Sequence, residues 1–301
     1  MSKNNNPYSD THIRNTVYSE IGIGIVANII LLVIHISLCF TRHRPKPTDL
    51  PIGLLALIHL VMLLINVFLA VDIFTPQGGR WGELICKLLT YLYRLFRVFS
   101  ICTTCLLSVL QAITLSPRNS LLAKFNHKSS HRNLFFLLFL CVIKSFFGSH
   151  LLISIIATPN LTSDNLIYIT ESCSLLPMSF FLGYVFATML TFREATLIGI
   201  MAVSNGYMVA LLCRHQRLSQ HLHTNIIPSP ELRATQTILL LLSCFVVMSI
   251  MDSIINYVRI TLNDDPIFYC IQILVAHSYA SFSPLVFTAT EKLIISVLRY
   301  V

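Results

Sequence analysis

Charges embedded in apolar sequence are the residues of this chain best placed to do chemistry. The stretch 84–115 carries Lys87, Arg94 and Arg97, and further apolar runs hold Lys144, the pair Arg193-Glu194, Asp252 and Arg259. A charge at the centre of a bilayer costs at least ~2.5–3.5 kcal/mol on insertion scales, so each such group implies a partner or a wet cavity. Arg94 and Arg97 are three apart and share one helical face, with Tyr93 and Ile101 close by. Two readings stand side by side. Internal ion pairs, Arg97 with Asp252 or Arg94 with Glu194, would tie helices together. Alternatively, a cavity lined by Tyr93, Arg94, Arg97, Asp252, Asn256 and His277 would receive a small, largely apolar ligand with one or two polar or anionic groups. Both can hold at once, and Arg94 is the basic group expected to meet an anion.

Enzyme chemistry has no comparable footing. The sequence contains no G-x-S-x-G, HExxH, P-loop or glycine-rich nucleotide fingerprint. Its eleven histidines are scattered, and His215, His221 and His223 fall in a polar connecting segment. Cys102 and Cys105 have metal-pair spacing, but they sit within an apolar run with no convergent histidine, where packing is the expected role. Residues 267–290 contain no lysine, so a retinal Schiff base has no attachment point there. The expectation is a protein without catalytic residues, cofactor or metal.

The elements that position these charges follow from composition. The chain is 55% hydrophobic and only 11% charged, with mean hydropathy +0.73. A soluble domain needs roughly 25% charged residues. The class is therefore a polytopic membrane protein, and the net charge of +8 is better explained by its distribution over loops than by nucleic acid. About 20 apolar residues cross the hydrocarbon layer as a helix. Seven stretches qualify: Ser19–Phe40, Asp49–Phe74, Leu84–Leu115, Leu134–Ile156, Met178–Leu212, Ala234–Ile260 and Ile267–Thr290. The expected fold is an all-α bundle of seven transmembrane helices forming a single domain. Before it lies a short polar segment over 1–18 without the pattern of a cleaved signal, and after it a short tail over 291–301.

Lysine and arginine give the direction. The loops 41–48, 116–133 and 213–233 and the tail hold twelve, including Arg118 and Arg214, whereas the opposite set holds only Lys3, Arg14 and Arg80. Positive charge marks the cytoplasmic side, so the N-terminus is placed outside and the C-terminus inside. The basic inner loops also suit anionic membrane lipids. The sequon Asn160-Leu161-Thr162 then falls in an outer loop, where Asn160 can be glycosylated. Cys86 and Cys173 lie on the same oxidising side, either as a disulfide or as two buried thiols, and the topology favours the disulfide. Counting ~1.5 Å per residue from Cys86 puts Arg94 about 12 Å and Arg97 about 16 Å deep, in the outer half.

Several longer segments resemble vomeronasal type-1 receptors. They are CTTCLLSVLQAITLSPRNS, SNGYMVALLCRHQRLSQHLH, PSPELRATQTILLL and HSYASFSPLVF, and the likeness extends over essentially the whole chain. The resemblance implies a multi-pass G-protein-coupled receptor of the plasma membrane. It further implies pheromone-like small molecules as ligands and an inhibitory-type heterotrimeric G protein as partner. Set against the wider rhodopsin-like class, Asn28 fits the asparagine of the first helix, Trp81 the outer-loop tryptophan and Pro284 the proline of the seventh helix. Ser283 and Phe287 replace the usual partners of that proline, and His59 stands where most members carry a sodium-binding aspartate. The third helix ends in Leu110-Gln111-Ala112 instead of an acid–arginine pair, so the usual resting-state ion lock is missing. The inner surface is expected to involve Gln111, Arg118, Arg214 and the 213–233 loop, with Pro284 able to kink its helix. A bitter-type chemosensory receptor would share this mechanism. A transporter or channel would call for paired repeats and interrupted helices, and neither is visible.

Overall fold

The computed structural model describes residues 11–41, 49–74, 81–116, 155–157, 167–168, 173–175, 180–221, 230–262, 271, 274–275 and 277–287. Three long helices come first: α1 (Thr11–Thr41), α2 (Asp49–Phe74) and α3 (Glu83–Leu115). Three short strands follow, β1 (Ile155–Ala157), β2 (Ile167–Tyr168) and β3 (Cys173–Leu175), and then α4 (Phe180–His221) and α5 (Pro230–Leu262). A last helix, α6, occupies 277–287. The fold is that of a helical membrane protein. Among the described residues, four helical segments are long and apolar enough to cross a bilayer: Thr11–Ser37, Leu50–Phe74, Glu83–Leu115 and Glu194–Arg214. A fifth apolar segment, Leu239–Ile255, is shorter.

Local sequence explains where the helices begin and end. Pro51 sits in the first turn of α2 and Pro230 opens α5, where a missing amide hydrogen costs nothing. Gly82 caps α3 in an extended conformation, ahead of Glu83, whose charge suits the helix N-terminus. At the other end Ser116 turns extended, with ψ 135°, because it precedes Pro117 and an α conformation would clash with the proline ring. Helix α1 starts at Thr11, eight residues before the expected Ser19. There Ile13, Val17 and Ile21 recur at four-residue spacing and pack with Ile73, Phe74 and Ala280, so an apolar stripe carries the helix beyond the uncharged stretch. Helix α4 likewise runs on to His221, nine residues past the expected Leu212. Ile155 and Ile156, expected to end a membrane span, lie instead in β1, as a β-branched run favours. The rest of that expected span lies outside the described residues.

The helices pack in sequence order, α1 on α2, α2 on α3, α3 on α4 and α4 on α5, and α3 also reaches α5 and β1. Among the described spans, α3 is the most enclosed, and from Ile101 to Leu107 it is buried throughout. The polarity is the reverse of that of a water-soluble protein. Val26, Ile30 and Val33 form an exposed stripe along α1, while Asn28, His35, His59, Asn66, Asn205 and Asp252 are buried. Apolar side chains turned out and polar ones turned in suit a hydrocarbon surround, in which polar groups must be satisfied from within. The three strands form an antiparallel sheet in the order β1-β3-β2, with Ala157 opposite Cys173. Cys173 is disulfide-bonded to Cys86 at the start of α3, Cα to Cα 5.6 Å, and Trp81 packs against the bridge. The sheet is thereby fastened over one end of α3.

Helices α1 and α6 approach closely at Gly24. A Cβ there would lie 2.5 Å from Ser281 Oγ, 2.8 Å from Leu63 Cδ1 and 3.0 Å from Ser281 Cα. Four residues on, Asn28 Nδ2 donates to the carbonyls of Gly24 at 2.8 Å and Ala280 at 2.9 Å, crossing between the same two helices. Gly24→Val is expected to push α1 off α6 and cost about 1–3 kcal/mol by overpacking. Surface expression and the thermal unfolding midpoint of the detergent-solubilised protein should both fall. Wild-type values for both would show that the contact tolerates a side chain.

Candidate functional site

Residues of α3, α4, α5 and α6 that the sequence singled out meet in one partly buried polar cluster. Arg97 Nη2 donates to Asp252 Oδ2 in an ion pair between α3 and α5, with Asp252 only 2% exposed. Tyr93, one turn earlier on α3, is within hydrogen-bonding reach of Arg97. Its ring meets that of His277 edge-on, with centroids 5.6 Å apart. His277 is buried at the start of α6. Glu194 of α4 accepts a hydrogen bond from Ser253 Oγ at 3.4 Å, and its carboxylate lies within electrostatic range of Arg97. One arginine is thus surrounded by two acids, a phenol and, through the phenol, an imidazole. Removing an ion pair from water is favourable only when further hydrogen bonds and neighbouring charges complete it, and Tyr93 and Glu194 supply both here.

Arg94 is half-buried on the same helix as Arg97, one turn nearer the disulfide end. Asn256 lies in α5 one turn beyond Asp252, but its side chain lies outside the described residues, as do Arg118 and Asn160. Lys87 pairs with Glu83 on the exposed first turn of α3, consistent with a group that reaches the interface. Gln111 is buried, and so is Pro284, whereas Arg214 is exposed near the far end of α4. Gln111 is enclosed by neighbouring side chains near the end of α3 remote from the disulfide.

A second polar centre lies further along α3 from the disulfide. It was not apparent from the residues alone. His59 of α2 is wholly enclosed, with Nε2 2.8 Å from Ser100 Oγ of α3 and Nδ1 3.3 Å from Ser283 Oγ of α6. A neutral imidazole has one N–H and one lone pair, so one serine donates to the ring and the other accepts from it. Tyr279 stands edge-on to the same ring at 5.5 Å and against Phe245 of α5 at 4.3 Å. Further along α3, Ser108 Oγ donates to Asn205 Oδ1 of α4 at 3.0 Å, and Ser116 Oγ meets the Tyr207 hydroxyl at 3.1 Å. The signal for these contacts was the recurrence of small hydroxyl residues along an otherwise apolar α3. Serine is too common a packing residue to name its partner in advance. Cys105 is buried, whereas Cys102 is disulfide-bonded, so the packing role expected of both does not hold for Cys102. Among the described residues no group of three histidine, cysteine or acidic side chains is arranged to hold a metal ion.

Residues 11–300 match the family model described as the vomeronasal organ pheromone receptor family. Among curated proteins, the chain is 53% identical to Vomeronasal type-1 receptor 100 of Rattus norvegicus, over 99% of this chain and 92% of that one. It is 52% identical to Vomeronasal type-1 receptor 42 of Mus musculus, with the same two coverages. It is also 52% identical to Vomeronasal type-1 receptor 48 of Mus musculus, over 99% of this chain and 100% of that receptor.

Arg97→Ala would leave the Asp252 carboxylate enclosed without this cation, at a cost of about 3–5 kcal/mol. Surface expression is expected to drop markedly, and to recover in large part in the double variant Arg97→Ala/Asp252→Ala. Full expression of the single variant would mean that the pair contributes little to holding α3 against α5.

Proposed function

The chain belongs to the vomeronasal type-1 receptor family, and on that premise we propose that it is a seven-helix G-protein-coupled chemosensory receptor of the plasma membrane. Its N-terminus lies outside, and it signals through an inhibitory-type heterotrimeric G protein. Small pheromone-like molecules bind in the outer half, against Tyr93, Arg94, Arg97, Glu194, Asp252, Asn256 and His277. The observation that carries this reading is the junction of four helices at one partly buried set of charges. A ligand that touches this junction touches α3, α4, α5 and α6 together. An anionic or strongly polar ligand group is met by Arg94, with Tyr93 and His277 supplying an aromatic wall.

Binding acts by selection between two helix arrangements. The ligand shifts the balance only as far as it prefers the active one. Rearranging the Arg97–Asp252 junction moves α5 relative to α3, and the far ends of these helices then separate to admit a segment of the G protein. Gln111, buried near the inner end of α3, is neutral and provides no ion lock. Rest is therefore held by packing and by neutral bonds such as Ser108–Asn205 and Ser116–Tyr207. Arg118, Arg214 and the 213–233 loop supply the basic inner surface, and Pro284 gives α6 a weakened point at which to bend.

The deciding experiment is nucleotide exchange on purified inhibitory G protein by the reconstituted receptor, stimulated with pools of steroids and volatile small molecules. At least one pool should accelerate exchange. Failure of every pool, combined with solute flux through the same vesicles, would replace the receptor with a transporter. With an active anionic ligand in hand, Arg94→Gln should weaken the half-maximal response about ten- to hundredfold, as expected for loss of a charged hydrogen bond. Gln111→Arg places a charge in an enclosed position and should change basal exchange. Unaltered basal and stimulated exchange would remove Gln111 from the switch.

A further inference from the structure

One carboxylate in an apolar span stands apart from the Arg97 cluster. Glu20 lies on α1, two residues after Tyr18, whose ring meets that of Phe74 at the end of α2, and it is half-buried. Its Oε1 is buried and has no hydrogen-bond partner among the described residues. The same is true of Ser281 Oγ on α6, a residue 1% exposed. Both line one cavity of about 660 Å³ on the flank of the bundle between α1 and α6, with apolar walls that include Ile23, Met248, Leu274 and Phe282. Ile23 and Phe282 are more than half exposed on the outer surface of the helices, so the cavity opens sideways. A buried carboxylate oxygen without a hydrogen-bond donor is costly to leave so, and it calls for a donor from whatever occupies the cavity. These two polar atoms without donors line a largely apolar cavity to which His12, Asn15, Thr16 and Ser19 also contribute, and they specify the chemistry of what fills it.

We propose that this flank cavity is a second binding site, which takes an amphiphile with an ammonium head on an apolar chain. The head donates to the Glu20 carboxylate and to Ser281 Oγ, and the chain lies along Ile23, Met248, Leu274 and Phe282. An ammonium offers three donors together with the opposite charge, and such charge-assisted bonds are about twice as strong as neutral ones. An alcohol supplies one donor and no charge, and a carboxylic acid is repelled. The site therefore prefers the opposite charge to the arginine-bearing junction between α3 and α5. An ammonium amphiphile can arrive from water as a free amine or from the surrounding leaflet as an amine-headed lipid.

The test measures binding of tritiated dodecylamine to the full-length receptor in nanodiscs of phosphatidylcholine, without any G protein, so its outcome is separate from the coupling reading. Saturable binding is expected, with Glu20→Gln and the slot-filling Ile23→Trp each weakening it about tenfold or more. Ile23 is exposed, so its replacement keeps the fold even if Glu20→Gln does not. Repeating the titration with phosphatidylethanolamine in the disc separates the sources. Competition assigns the site to an amine-headed lipid, and undiminished binding assigns it to a free amine. Non-saturable uptake, equal binding by folded Glu20→Gln and Ile23→Trp receptors, or equally strong competition by dodecanoic acid would each overturn the proposal.

Discussion

Hydrocarbon offers no hydrogen bonds, and most of this architecture is a response to that fact. Each polar side chain within the apolar helices needs a partner from the protein itself, so polar contacts fall between helices and act as ties. Asn28 joins α1 to α6 through the Ala280 carbonyl, His59 joins α2 to both α3 and α6, Ser108 joins α3 to α4, and Arg97 joins α3 to α5. Three of these four ties involve α3. Its central place follows from the sequence, because it combines small hydroxyl residues that allow close approach with the arginine that attracts Asp252.

The ties differ in kind along the length of α3. Towards the Cys86 end the tie is ionic, with Arg97 against Asp252 and Glu194 in range. In the middle it is a neutral imidazole held between two serines. Towards Ser116 it consists of single hydroxyl and amide bonds. A neutral hydrogen bond contributes about 0.5–1.5 kcal/mol net, and loss of one partner from a buried ion pair costs several times as much. The firm attachment is therefore where a ligand is proposed to act, and the weak ones are at the end proposed to open.

Much of this could be read from residue order. The bounds of α2 agree with the expected Asp49–Phe74, and α3 ends at the expected Leu115, because both are set by hydropathy and proline. The Cys86–Cys173 bridge and the pairing of Arg97 with Asp252 were each one of two readings that position and charge left open. What could not be read has physical causes. The early start of α1 depends on Val17 finding Phe74 and its neighbours, a contact between distant segments. The strand at Ile155 competes with helix in a run whose hydropathy suits either. The environment of His59 needs three helices in register, since neither a histidine nor a serine announces its partner. The burial of Gln111 is likewise a matter of how α3 is rotated, which composition leaves open.

The bridge between Cys86 and Cys173 also changes what counts as one molecule. It closes a covalent ring over a separation of 87 residues, which encompasses nearly all of α3 and everything up to β3. A single backbone cut between 87 and 172 therefore leaves both halves linked, and they come apart only on addition of a reductant. Made where thiols stay reduced, the chain would carry the same residues without the ring, and its small sheet would be held over α3 by packing alone.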